Sequence, residues 1–145
     1  MNILITRSLI DSEDLIGKLF SQGHKIVHMP TLKISAANVD PIDAKKYEVF
    51  IFTSTNAIRN LKLSNQDNSK LCFCVGAITE KIVRQKGYYN TISAGGTVNA
   101  LKNIILNSDQ IDKKKSIAYF CGDSISSDLD LELKNEGFQV DKIIN

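Results

Sequence analysis

Short runs of apolar, β-favouring residues alternate along this chain with segments of helical period, and three of those segments stop on a glycine. The strand candidates are residues 3–6, 25–29, 49–52, 71–75, 91–93, 117–120 and 140–144. Helices are predicted over 12–22, 78–86 and 126–136, ending at Gly23, Gly87 and Gly137. Just past a helix, glycine takes the left-handed conformation without a Cβ clash, and the last helical carbonyls find donors there. Strands separated by helices cannot pair as hairpins, so neighbours joined by such crossovers run parallel. The pattern predicts an α/β fold with a parallel sheet. In the last helix Ile125, Leu129 and Leu133 recur every four residues, and Asp128, Asp130, Glu132, Lys134 and Glu136 are assigned to the solvated face.

One stretch breaks the alternation. Residues 30–47 hold Pro30, Pro41 and the small polar run Ser35-Ala36-Ala37-Asn38, which reads as an extended linker. Splitting there leaves an N-terminal βαβ portion over residues 1–34 and a larger domain over 35–145. The two ends echo each other: Ile3 precedes Gly23 by twenty positions, and Ile117 precedes Gly137 by the same interval. Any two βαβ units share that order, so the echo is equally compatible with chance.

Composition excludes several classes. The 145 residues are 43% hydrophobic and 23% charged with a formal net charge of +2, the proportions of a globular protein. Lys and Arg are spread in short mixed runs, so no basic stripe for nucleic acid is expected. No stretch approaches ~20 apolar residues and the N-terminus lacks a basic leader, so neither a membrane span nor a signal peptide is expected. Cys72, Cys74 and Cys121 are odd in number and lie in apolar runs, which predicts reduced, buried thiols in a cytoplasmic protein. His24 and His28 are distant in sequence from all three, so no metal site is expected.

In open parallel sheets ligands bind beyond the carboxyl ends of the strands. The residues there are Thr6-Arg7, Thr53-Ser54-Thr55-Asn56, Gly76-Ala77-Ile78-Thr79, Gly95-Gly96-Thr97 and Gly122-Asp123-Ser124. Hydroxyls, glycines and helix-opening amides suit carboxylates or phosphates, although Ser, Thr and Asn are also ordinary helix caps. No dinucleotide fingerprint, P-loop, nucleophile elbow or acidic phosphoacceptor cluster occurs. No catalytic side chain is assigned. This inventory fits a reaction achieved by binding, orientation and exclusion of wrong outcomes.

The ordered set Ile3-Leu4-Ile5-Thr6-Arg7, then Phe52-Thr53-Ser54-Thr55-Asn56-Ala57, then Val75-Gly76-Ala77-Ile78-Thr79, then Tyr119-Phe120-Cys121-Gly122-Asp123, resembles the uroporphyrinogen-III synthase family over essentially the whole chain. The resemblance implies one complete flavodoxin-like or Rossmann-like βα domain plus an incomplete βαβ part of a second, discontinuous domain, with the active site in the cleft between them. It also implies that the chain is C-terminally truncated, with a tyrosine expected at or just after Asn145. The implied activity is a cofactor-free cyclisation of hydroxymethylbilane, in a protein that is monomeric at full length. The substrate binders it suggests are Arg7, Thr53, Ser54, Asn56, Gly76, Ala77, Thr79, Gly122 and Ser124. Many relatives place an arginine where Cys121 stands here, so one charge contact is missing. Two other readings stay open: a non-catalytic flavodoxin-like or regulator-like module holding a small anion or nucleotide, and an inactive remnant.

Overall fold

The computed structural model describes residues 1–145 apart from Ser124 and Ser126. The chain divides into two compact units, Met1–Ser35 and Ala36–Asn145. In the first, β1 (Asn2–Ile5) and β2 (Lys25–His28) pair in parallel from Asn2↔Lys25 to Ile5↔His28, joined by helix α1 (Leu9–Ser21). The α1 helix ends where Gly23 takes φ +83° and its N–H reaches the Phe20 carbonyl at 2.9 Å. Only Ile5 and Ser12 are buried in this unit. The register partners Leu4 and Val27 share an uncovered face of the two-stranded ladder, while Leu15 and Phe20 stand exposed on α1.

The second unit begins with the two-residue strand β3 (Ile42–Asp43) and a 3-10 turn over Ala44–Lys46. It continues through β4 (Val49–Phe52), α2 (Thr55–Arg59), β5 (Leu63–Ser64), β6 (Leu71–Cys74) and α3 (Ala77–Gln85). Then come β7 (Thr91–Ser93), α4 (Val98–Leu106), β8 (Ser116–Cys121), α5 (Leu129–Asn135) and β9 (Gln139–Ile144). β3 pairs with β5, and the other five strands form one parallel sheet in the order β7-β6-β4-β8-β9. Counted along this sheet the order is 3-2-1-4-5, the Rossmann arrangement, and the order reverses between β4 and β8. This is an α/β parallel-sheet fold with one complete βα domain and an incomplete βαβ part.

Because helices cover both faces, the central strands are buried throughout, as Val49-Phe50-Ile51-Phe52 and Leu71-Cys72-Phe73-Cys74 require. Odd-numbered residues of β4, β6 and β8 pack with Leu101, Ile105, Leu129 and Leu133 of α4 and α5. Even-numbered ones pack with Ala57, Ile58 and Val83 of α2 and α3. On the second face Phe50 meets the rings of Tyr88 and Phe120 edge-on at 5.9 and 5.3 Å, while Phe52 stacks on Phe120 at 5.2 Å. Such ring pairs add ~0.5–1.5 kcal/mol each beyond the area they bury.

Two local expectations change. The last helix is described from Leu129, and Asp130, assigned above to its wet face, is 6% exposed, whereas Leu131 is half-exposed. At 100° per residue Asp130 shares its face with Leu133, three positions on, and the alternating Asp-Leu-Asp-Leu-Glu spelling misleads. One Asp130 oxygen lies 3.8 Å from Lys134 Nζ and the other is buried without a hydrogen-bond partner.

Candidate functional site

The 3-2-1-4-5 order brings the turns after β4, β6, β7 and β8 to the carboxyl edge of one sheet, and with them Thr53, Ser54, Asn56, Gly76, Ala77, Thr79 and Gly122. The strand order reverses between β4 and β8, which lead into Thr53 and Gly122, and such a reversal is where open α/β sheets bind their ligands. Ser124 lies outside the described residues. Arg7 belongs to the other unit, exposed just beyond β1, where its carbonyl accepts from His28 Nε2 at 2.8 Å.

Each turn is built differently. Ser54 caps α2, its Oγ accepting from the Asn56 N–H at 3.2 Å, and Thr97 caps α4, accepting from the Ala100 N–H at 3.1 Å. Each hydroxyl keeps its own proton to donate outward. Gly76 is the N-cap of α3 and has no side chain to cap it, so the first-turn amides face the edge without that partner. Gly76 is glycine for room: a Cβ there would stand 3.2 Å from Gly96 Cα. The Gly96 N–H in turn donates to the Val75 carbonyl at 2.8 Å, locking the turns after β6 and β7 together. In the first turn of α3, Ala77 is exposed, Ile78 is 73% exposed and Thr79 is buried. A large apolar residue thus stands in solvent beside a helix N-terminus.

Two contributors escape inspection of the turns alone. Arg59 Nη1 donates to Thr55 Oγ1 at 3.3 Å and to Asn56 Oδ1 at 3.2 Å, carrying a positive charge to the α2 end of the edge. The signal is its i+4 and i+3 spacing from those residues, close neighbours on a helix. The second is Tyr119, whose hydroxyl lies 3.2 Å from Thr53 Oγ1. Burial pushes the Tyr119 phenol up from its ordinary value, so it is protonated at neutral pH. Burial likewise raises the three thiols, Cys74 to about 12, and leaves all of them as free, neutral SH groups. The edge can therefore offer hydroxyl and amide donors to an anion, and it carries no activated nucleophile among the described residues. Among the described residues no three or more His, Cys, Asp or Glu side chains cluster as metal ligands, and no helix is long and apolar enough to cross a membrane.

Comparison with known proteins follows the same lines. The sequence profile of the family described as Uroporphyrinogen-III synthase HemD matches residues 13–144. Among solved structures, a mutant uroporphyrinogen III synthase from Thermus thermophilus superimposes with a TM-score of 0.62 at 13% identity, covering 99% of this chain and 61% of that one. The wild-type Thermus thermophilus enzyme gives 0.54 at 14% identity over 99% and 60%. The uroporphyrinogen-III synthetase from Helicobacter pylori gives 0.53 at 19% identity over 83% and 54%. At these identities the likeness speaks for the fold, and this chain spans between 54% and 61% of the length of the relatives. A search of curated proteins finds no match. With 13–144 of its 145 residues matched, the chain belongs to the Uroporphyrinogen-III synthase HemD family.

Proposed function

We propose that this chain supplies the Rossmann-like domain of a uroporphyrinogen-III synthase, an enzyme that closes hydroxymethylbilane into a macrocycle with inversion of the last pyrrole ring. The observation that carries this reading is the make-up of the carboxyl edge, where hydroxyls and helix-opening amides of four turns stand together, in a chain whose residues 13–144 match the family. The substrate bears eight carboxylates, and such an edge is suited to several of them at once.

In the proposed reaction the terminal hydroxyl leaves as water. The freed methylene carbon bonds to the substituted α-carbon of the last pyrrole to give a spiro intermediate; the bond from that carbon to its original methylene breaks and re-forms at the free α-carbon, which loses its proton, so the macrocycle closes with this ring inverted. No external electrons are needed, so the reaction asks for no redox partner. Without guidance the same linear molecule closes to the uninverted type I isomer. The protein's task is to hold one conformation, which is catalysis by orientation and selective binding. In this reading Thr53, Ser54 and Asn56 bind carboxylates through their side chains, and Ala77, Thr79 and the turns at Gly76 and Gly122 through backbone N–H groups. Ser124 and Arg7 are further proposed contacts, Arg7 bidentate.

The unit Met1–Ser35 we read as the βαβ portion of the enzyme's other domain, whose further strands would cover Leu4, Val27, Leu15 and Phe20. We place the protein in the cytoplasm, as a monomer when full length. The isomer ratio of the uroporphyrinogen formed from hydroxymethylbilane tests the reading.

A further inference from the structure

We propose that Tyr119 is a positioning residue for Thr53, holding its hydroxyl so that the Thr53 proton points out of the sheet edge toward a bound carboxylate. This inference rests on the synthase reading and names the device that would aim one of its donors.

The sheet register supports it. Ile51 of β4 is the Cα partner of Tyr119 on β8, and Thr53 continues the Val49, Ile51 series on the same face. Thr53 thus stands two residues, about 6.6 Å, beyond the level of the Tyr119 Cα. A phenol is long enough to lean along the strand over that gap, and its oxygen arrives 3.2 Å from Thr53 Oγ1 at the β4–β8 reversal. The Tyr119 side chain is 1% exposed, so its proton cannot go to bulk water. A buried hydroxyl left without an acceptor costs about 1–3 kcal/mol. The groups facing it are Thr53 Oγ1, the Cys121 thiol two residues along the same strand, and the Asp130 carboxylate, with Lys142 of β9 beside Cys121. Sulfur is a weak acceptor, Asp130 Oδ1 has no hydrogen-bond partner and its Oδ2 lies toward Lys134, so Thr53 Oγ1, a good acceptor 3.2 Å away, is the one assigned to the phenol proton. Burial and the nearby Asp130 charge keep the phenol protonated, and the donor is present throughout the neutral range.

A threonine hydroxyl can accept one proton while donating its own. With the Tyr119 proton occupying a lone pair, the Thr53 hydrogen is turned away from the sheet, where a carboxylate can take it. Donation into the Thr53 oxygen also polarises its O–H and strengthens the bond it makes in turn. Serine at position 53 would keep the device; valine would remove it while keeping the shape.

The test is equilibrium binding of uroporphyrin III, a stable octacarboxylate, measured by fluorescence for the wild-type chain and for Tyr119→Phe, Thr53→Val, Thr53→Ser and the double variant Tyr119→Phe/Thr53→Val. Tyr119→Phe keeps the buried ring and deletes only the hydroxyl. We expect it to weaken binding roughly five- to tenfold. Thr53→Val should do the same, Thr53→Ser should bind like wild type, and the double variant should bind no more weakly than the poorer single variant. A purely structural role would instead lower the melting temperature equally in both backgrounds and leave the binding losses additive. Tyr119→Phe binding like wild type, or additive losses, overturns the positioning role alone. A wild-type chain that binds no uroporphyrin overturns the synthase reading, and the positioning role with it.

Discussion

Replacing Gly76 by alanine separates steric from conformational reasons for a glycine at the edge. The Gly76 φ of −166° is extended backbone that any residue adopts, so alanine pays no dihedral penalty. Its Cβ would stand 3.2 Å from Gly96 Cα and 3.6 Å from Gly96 N, both main-chain atoms with no flexible end to move aside. Gly96 is itself held at φ +96° and tied to Val75, so the two turns must separate by a few tenths of an ångström. Overpacking of this kind costs about 1–3 kcal/mol. Alanine is also a poorer N-cap than glycine by some tenths, offset by a loss of unfolded-state entropy worth about 0.4–1 kcal/mol. The net expectation is about 1–3 kcal/mol. That lowers the melting temperature of a domain this size by roughly 4–10 °C. Gly76→Ser meets the same contact but restores a cap, so it should lose roughly 1 kcal/mol less. Gly95→Ala, whose Cβ meets only Ala100 Cβ at 4.0 Å, should stay within about 0.5 kcal/mol of wild type. Urea unfolding followed by far-UV circular dichroism reads all three. A Gly76→Ala protein as stable as wild type, or a serine variant worse than alanine, would refute the reasoning.

Burial of the thiols makes a pH prediction. Their folded values are raised, Cys74 from 9.0 to about 12, so the stability tied to the neutral thiol is fully present below pH 9 and is lost as pH climbs toward 12. Native protein at pH 8 should therefore leave Cys72, Cys74 and Cys121 unreacted with Ellman's reagent and release all three on unfolding; reaction at the rate of free cysteine would contradict the burial. The N-terminal unit, with only Ile5 and Ser12 buried, should exchange its β1 and β2 amides much faster than those of β4 and β6. Equal protection would show that Leu4, Val27 and Phe20 are covered in solution.

How much of this was legible beforehand depends on range. The five-stranded sheet is spelled out in β-rich runs, and all its strands fall within about two residues of expectation, because parallel central strands must be apolar on both faces. The helix ends at Gly23, Gly87 and Gly137 carry positive φ, as their role demands. Helix α4 escapes that signal because it stops at Asn107 without a glycine, and α2 spans only Thr55–Arg59, too short for a periodicity. The β3–β5 pair is two residues on each side and has no pattern to show. Among the candidate ligands, the edge turns could be read because each directly follows a strand. The contact between Tyr119 and Thr53 could not: 66 positions separate them, and only the strand order that sets β8 beside β4 brings them together. Arg59 lay within reach of sequence reasoning, through its spacing from Thr55 and Asn56.

The most direct test of the account is the isomer composition of the product. Hydroxymethylbilane generated in situ should be treated with protein expressed from the reading frame that carries these residues, and the uroporphyrinogens oxidised and resolved by chromatography. Type III well above the level of a protein-free control is the predicted result. Type I alone, at the control rate, would contradict the synthase reading and leave the carboxyl edge as an anion-binding surface without catalysis.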